Sequence, residues 1–168
     1  MGRWRPPSAP ASPYITAAGF RALESEARAL WARRQGVVRH LAAAAAEGDR
    51  SENAEYQYRK KQVREIDRRL GYLQRRMPKL TIVKAVPGDD SRVFFGARVE
   101  LENSTGEICQ YRVVGADETA PGEGVISIDS PVAQQLMGRA LDDEVVLDAG
   151  ARAGAWFIVS ITYPDPNV

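Results

Sequence analysis

The sequence predicts an α+β protein in two parts: an antiparallel two-helix coiled coil, then a small domain made mostly of strands. Two observations carry this. In the first half, apolar residues recur alternately every three and four positions, with no proline between Pro13 and Pro78. After Pro78 the pattern gives way to short β-branched and aromatic runs separated by Gly, Asn, Asp and Pro.

Residues 1–13 are rich in Pro, Ser and Ala and lack apolar periodicity, so they are expected to be a disordered Pro-rich extension. Order is expected to begin at Thr16, whose hydroxyl can cap a helix. Phe20, Leu23, Ala27, Leu30, Arg34, Val37, Leu41 and Ala44 then mark the a and d positions of a heptad, with Arg34 as its polar interruption. The Leu41–Ala46 stretch favours helix strongly. Gly48-Asp49 breaks the pattern, and Ser51 can cap a second helix. There Tyr56, Arg59, Val63, Ile66, Leu70, Leu73 and Met77 resume the alternation until Pro78 ends it. Two such helices joined by a tight turn make a hairpin over residues 14–78, roughly 45 Å long at the rise of an α-helix. Its core is thin, so a larger domain is expected to anchor it.

That domain covers residues 79–168, with its junction between Met77 and Ser91. Strands are expected at Thr81–Val86, Val93–Leu101, Ile108–Val114, Val125–Ile128, Val145–Leu147 and Trp156–Tyr163. Asn103-Ser104-Thr105-Gly106 supplies a hairpin turn. Pro131–Gly138 is expected to be one short helix, with Ser130 as its cap and Pro131 as its first residue.

Bulk properties exclude several functions. The 168 residues are 27% charged and 44% hydrophobic, ordinary for a globular chain, and the net charge is only +1. What matters is therefore how the charge is distributed. The single cysteine, Cys109, excludes an internal disulfide and a four-thiolate zinc site. The single histidine, His40, sits beside Arg39 and a run of alanines and reads as ordinary helix surface. No Gly-rich loop ending in Gly-Lys-Ser/Thr occurs, and no Gly-x-Ser-x-Gly elbow. No apolar stretch approaches the ~20 residues of a membrane span. Pro6, Pro7 and Pro10 follow Arg3 and Arg5 where a signal peptide would be apolar. A cytoplasmic protein with no membrane partner is expected.

Two features carry chemistry. The first is the hairpin tip, Gly48-Asp49-Arg50-Ser51-Glu52-Asn53-Ala54-Glu55-Tyr56, which sets three carboxylates where no core needs them. Asp49 and Glu52 are three apart and can point the same way. Such a pair suits a hard cation such as Mg²⁺, which often takes one or two carboxylates and keeps its waters. The same two acids could equally serve the N-terminal amides and dipole of the second helix. The second feature is a basic face: from Arg59 to Lys79 there are nine Lys or Arg against only Glu65 and Asp67. With Val63 at position a, Lys61, Arg68 and Arg75 fall at f and Arg64 at b, opposite the seam. A solubilising surface would mix both signs, so this stripe suggests contact with a phosphate backbone.

The tip stretch from Gly48 to Tyr56 closely resembles the signature of the Gre transcript-cleavage factors. Lys60-Lys61-Gln62-Val63-Arg64-Glu65-Ile66-Asp67-Arg68-Arg69 is similar to the GreB branch of that family rather than GreA. So are Val93-Phe94-Phe95-Gly96-Ala97 and Ile126-Ser127-Ile128-Asp129-Ser130-Pro131, and the opening Ile15-Thr16-Ala17-Ala18-Gly19-Phe20 also fits. The resemblance covers residues 14 to 163. It implies an FKBP-like C-terminal domain that docks at the rim of the secondary channel of bacterial RNA polymerase, with Asp129, Ser130 and Pro131 touching the polymerase. It implies that the coiled coil enters that channel, where a backtracked complex extrudes its nascent RNA 3′ end. Asp49 and Glu52 would be the catalytic acids, helping to hold a second Mg²⁺ shared with the polymerase active centre and positioning the attacking water. Arg59, Lys60, Lys61, Arg64 and Arg68 match the family's basic patch, which would hold the extruded RNA. The chain is thus expected to be a monomeric transcription elongation factor, not itself an enzyme, with no cofactor of its own.

Three features depart from the resemblance: the extension before Tyr14 finds no counterpart in it, Leu41–Ala46 is unusually rich in alanine, and Arg50 sets a positive charge between the tip acids. Two other functions fit parts of the chain. A Gre-like inhibitor would enter the channel without promoting cleavage, but the intact Asp49/Glu52 spacing argues against it. An adaptor coiled coil would need neither acids at its tip nor a basic stripe beside them.

Overall fold

The computed structural model describes residues 10–46, 54–84, 88–119, 124–147 and 152–164. Its elements are β1 (Tyr14–Thr16), α1 (Ala17–Ala46), α2 (Ala54–Arg76), a 3₁₀ turn (Met77–Lys79), β2 (Thr81–Val83), β3 (Arg98–Asn103), β4 (Ile108–Val114), β5 (Val125–Ser127), α3 (Pro131–Leu136), β6 (Glu144–Leu147) and β7 (Gly154–Thr162). They form two compact units, Phe20–Leu80 and Met1–Gly19 with Thr81–Val168. The class is α+β, a helical hairpin and a sheet.

The hairpin follows its heptad. Leu23, Val37 and Ala44 of α1 and Ile66, Leu70 and Leu73 of α2 are buried. Phe20, Ala27, Leu30, Leu41, Tyr56, Val63 and Met77 are half-buried. Val37, Ile66 and Leu70 make one cluster, with Leu30 and Val63 against it. The polar interruption is answered across the seam, where Arg34 Nε donates to Asp67 Oδ1 at 2.5 Å. One cap is explicit: the Gly19 N–H donates to Thr16 Oγ1 at 2.9 Å, in the expected N-cap geometry.

The sheet unit holds five strands in the order β5-β4-β3-β7-β6, antiparallel except for the parallel pair β4–β5. One face carries the core, with Val99, Leu101, Val113, Leu136 and Ile158 fully buried and Trp156 at 2% exposure. The turn after β3 is held by Asn103, whose Oδ1 accepts from the N–H groups of Thr105 and Glu107 at 3.0 and 2.9 Å. Gly106 follows with φ +80, a conformation that favours glycine. Helix α3 has the expected cap, with Ser130 Oγ accepting from the Ala133 N–H at 3.2 Å and Pro131 in the first turn.

The structure alters four readings. The run Val93–Leu101 is a strand only from Arg98. Before it, Gly96 takes φ +90 and the Ala97 N–H closes a turn on the Phe94 carbonyl at 3.1 Å. Tyr14–Thr16, where no strand is expected, pairs in parallel with Thr81–Val83, so these residues group with the sheet. Ser12 and Pro13 fall within the expected disordered extension, yet the Thr81 N–H donates to the Pro13 carbonyl at 2.7 Å and Ser12 bonds Asp129. Glu118 also holds this end: its carboxylate accepts from the Thr16 N–H at 3.0 Å, the Thr16 hydroxyl and the Gly115 N–H at 2.8 Å. A Cβ on Gly115 would lie 2.2 Å from the Tyr14 carbonyl oxygen, so only glycine fits there. The expected strand Thr81–Val86 ends at Val83, and residues 85–87 lie outside those described.

A two-helix seam has few layers to lose. Leu70→Ala should lower the stability of the hairpin by about 2–4 kcal/mol, measured as a reduced urea midpoint in helical circular dichroism. A change below about 0.5 kcal/mol would mean that the cluster around Leu70 contributes little.

Candidate nucleic-acid interface

Helix α2 forms because nothing in Ala54–Arg76 interrupts it: there is no proline, and strong helix formers dominate. Its seam positions turn inward, and this presents the basic residues at the others. The five residues of the predicted patch separate into two groups. Arg59 is half-buried: its Nε donates to Glu55 Oε1 at 2.7 Å, its Nη1 donates to Gln62 Oε1 at 3.3 Å, and its guanidinium lies 5.6 Å from the Tyr58 ring centre. The Lys60 ammonium lies 5.8 Å from the Tyr56 ring centre. Lys61, by contrast, is 77% exposed and only 4.0 Å from Glu65 at its nearest approach. Arg64 and Arg68 are exposed and make no ion pair or hydrogen bond among the described residues. Lys61, Arg64 and Arg68 are therefore the cations best able to meet an anion.

Two further cations of the hairpin serve the fold. Arg34 pairs with Asp67, and Arg69 donates through Nε and Nη2 to both oxygens of Glu26 at 2.7 and 2.8 Å. The hydrogen bond from Arg69 and its charge hold the Glu26 carboxyl below its ordinary value, with partial burial opposing.

Two contributors escape the charge pattern. Arg33 on α1 and the exposed Tyr58 on α2 line a groove of about 360 Å³, together with Leu30, Gln62 and Ile66. The signal available in the sequence was the heptad itself, which puts Arg33 and Gln62 at g positions that face each other in an antiparallel pair.

The remaining predicted residues lie elsewhere. Asp49 and Glu52 are outside the described residues, in the segment between α1 and α2. Asp129, Ser130 and Pro131 open α3 in the sheet unit. Ser130 is the helix cap, while the Asp129 carboxylate accepts from the Ser12 N–H at 2.8 Å and from the Ser12 hydroxyl. Among the described residues no three acidic, histidine or cysteine side chains are grouped to hold a metal ion, and no helix is long and apolar enough to cross a membrane.

Residues 13–82 match the family model described as transcription elongation factor, N-terminal, and residues 88–163 match transcription elongation factor, GreA/GreB, C-term. Transcription elongation factor GreB of Xanthomonas axonopodis pv. citri is 52% identical over 165 residues, covering 97% of this chain and 98% of its own. The chain belongs to the GreA/GreB family of transcription elongation factors. It is of the GreB type: the GreB factors of Pseudomonas aeruginosa and Haemophilus influenzae are 47% and 50% identical, covering 98% and 90% of this chain and 98% and 97% of their own. The first of these alignments also bears on the extension, because a match over 97% of the chain cannot leave all of residues 1–13 without a counterpart. GreA factor homolog 1 of Thermus thermophilus, a solved structure, is 23% identical with a TM-score of 0.42, covering 89% of this chain and 97% of that one. That likeness is too loose to bear on the activity of this GreB-type factor.

The pairing of Glu26 with Arg69 gives the hairpin of this factor a pH dependence of known sign. A carboxyl whose folded pKa is depressed stabilises above its unfolded value near 4.5 and ceases to as the pH falls through the folded value. Both partners are largely solvated, so the contribution is roughly 0.5 kcal/mol. Glu26→Gln should lower the Tm slightly at pH 7 and leave it unchanged at pH 3. A larger difference at pH 3 than at pH 7 would refute the assignment.

Proposed function

We propose that this GreB-type factor binds RNA polymerase through its secondary channel and stimulates cleavage of backtracked RNA 3′ ends, rescuing arrested complexes. The observation that carries this reading is the pair Asp49 and Glu52, three apart in the segment joining α1 to α2, next to a helix face with a surplus of cations. The family membership makes transcription the setting.

The division of labour follows from the chemistry of each part. The sheet unit, FKBP-like in this reading, docks on the polymerase, with Asp129, Ser130 and Pro131 at the contact. The hairpin enters the channel with its tip foremost. Two carboxylates alone are too few for a tight site, but they are hard oxygen donors suited to share a hard cation with another protein. Asp49 and Glu52 would hold a second Mg²⁺ together with carboxylates of the polymerase. Such an ion, when bound, stabilises the attacking and leaving oxygens of an in-line displacement. The tip acids also accept hydrogen bonds from the attacking water and so orient it. Lys61, Arg64 and Arg68 hold phosphates of the extruded strand. On this reading the chain completes an active centre and is not itself an enzyme.

The deciding experiment is RNA cleavage in a stalled, backtracked elongation complex with Mg²⁺. The unaltered factor should shorten the RNA from its 3′ end. Asp49→Ala or Glu52→Ala should slow that cleavage roughly 10²- to 10³-fold, as expected for losing several kcal/mol of transition-state stabilisation, with polymerase affinity unchanged. Loss of affinity instead would make the tip a structural element. Suppression of nucleotide addition without cleavage would make the chain a channel-blocking inhibitor.

Changing Lys61, Arg64 and Arg68 together to Ala should weaken cleavage most when the extruded RNA is long. It should also flatten the dependence of log affinity on log salt by roughly 2, the value for three single-strand phosphates. Equal loss on short and long RNA would count against an RNA-holding face.

A further inference from the structure

The basic stripe explains attraction to phosphate, but not why an aromatic ring stands exposed beside it. Tyr58 is 55% exposed, one turn into α2, at a heptad position that a coiled coil usually gives to a charged residue. It lines the groove of about 360 Å³ together with the apolar Leu30 and Ile66. Arg33 and Lys61 border the same groove, and Glu65 is the only acid among the described residues that line it.

The ring is also held in place before any ligand arrives. Gln62 Nε2 donates to Tyr58 Oη at 3.2 Å, and Gln62 Oε1 accepts from Arg59 Nη1 at 3.3 Å. Arg59 is itself fixed by Glu55 and lies 5.6 Å from the ring centre. A side chain already ordered this way loses little freedom when something stacks on it.

Aromatic ring, apolar lining and surrounding cations together select a ligand with a flat apolar face and a negative backbone. Single-stranded nucleic acid has both, and aromatic stacking beside a positive groove is how such strands are held. A duplex hides its base faces inside the stack and offers Tyr58 none. We propose that Tyr58 and the groove beside it form a stacking subsite for a base of single-stranded RNA, at the tip-proximal end of the basic stripe. This rests on the RNA-holding role given above to Lys61, Arg64 and Arg68, and it adds a contact to the base where they contact only phosphate. Because every base has a π-face, the subsite is tolerant of sequence.

The test is a cycle of protein and RNA changes in backtracked elongation complexes whose extruded tail carries either normal bases or abasic sugars throughout. The factor concentration that half-saturates tail cleavage is read for the unaltered chain, Tyr58→Phe and Tyr58→Leu. Stacking on one base corresponds to roughly 5- to 150-fold in affinity. Tyr58→Leu should raise the half-saturating concentration about tenfold on the base-bearing tail and less than twofold on the abasic tail. Tyr58→Phe keeps the ring and should stay within about twofold on both. Equal loss on the two tails, no loss on either, or a loss with Phe as large as with Leu overturns the subsite and leaves the cleavage function standing. An unaltered factor that cleaves neither tail overturns both proposals together.

Discussion

A single apolar seam decides what every other side chain of the hairpin is free to do. Two helices have one interface, and the heptad commits Leu23, Val37, Ile66, Leu70 and Leu73 to it. Whatever the hairpin offers to a partner must stand at the remaining positions. These also sort by distance from the seam. Glu26 and Arg69, flanking it, pair with each other, and Arg34 within it pairs with Asp67. Among the described residues, Lys61, Arg64 and Arg68 make no ion pair with an acid of the opposite helix. The surplus of positive charge on α2 is thus concentrated on its outer side by packing.

The start of α1 depends on a different constraint. Glu118 accepts from the Thr16 N–H, the Thr16 hydroxyl and the Gly115 N–H, and this brings the loop after β4 against β1. The approach is close enough that a Cβ at Gly115 would meet the Tyr14 carbonyl oxygen and one at Gly19 would meet the Glu118 carboxylate. Gly19 from one end of the sequence and Gly115 with Glu118 from the other therefore fit closely together. Ser12, bonded to Asp129, extends the same anchoring further toward the N-terminus.

The seam was legible because period 3.5 is a property of the chain alone. Each of its apolar positions from Phe20 to Met77 is buried or half-buried. Thr16 and Ser130 as caps, and Asn103 to Gly106 as a turn, were legible for the same reason: their partners are three or four residues away. What failed was non-local. Tyr14–Thr16 becomes a strand only because Thr81–Val83 lies beside it, and a three-residue strand has no pattern of its own. Val93–Ala97 is as apolar as any strand, but Gly96 at φ +90 turns it, and the buried Val93 and Ala97 are core residues in a turn. At the candidate interface the basic residues could be counted from the sequence, while their partners could not. Tyr58 went unread because its heptad position marks it as outward but says nothing of the groove that it lines with Leu30 and Arg33 of the other helix.

That distinction changes what the basic patch can mean. Counted from the sequence, Arg59, Lys60, Lys61, Arg64 and Arg68 are five equivalent phosphate contacts. In the fold, Arg59 already bonds Glu55 and Gln62, and Lys60 already lies over Tyr56. A cation that must leave a partner to meet a phosphate gains only the difference between the two interactions. Arg59 contributes more where it stands, ordering Gln62 and through it the Tyr58 ring. On the proposed reading the face would then have two kinds of cation: three that would meet phosphates directly and be screened by salt, and Arg59, which would act through an aromatic ring whose stacking salt does not screen. A strand held by both stays on the hairpin when ionic strength weakens the charges alone.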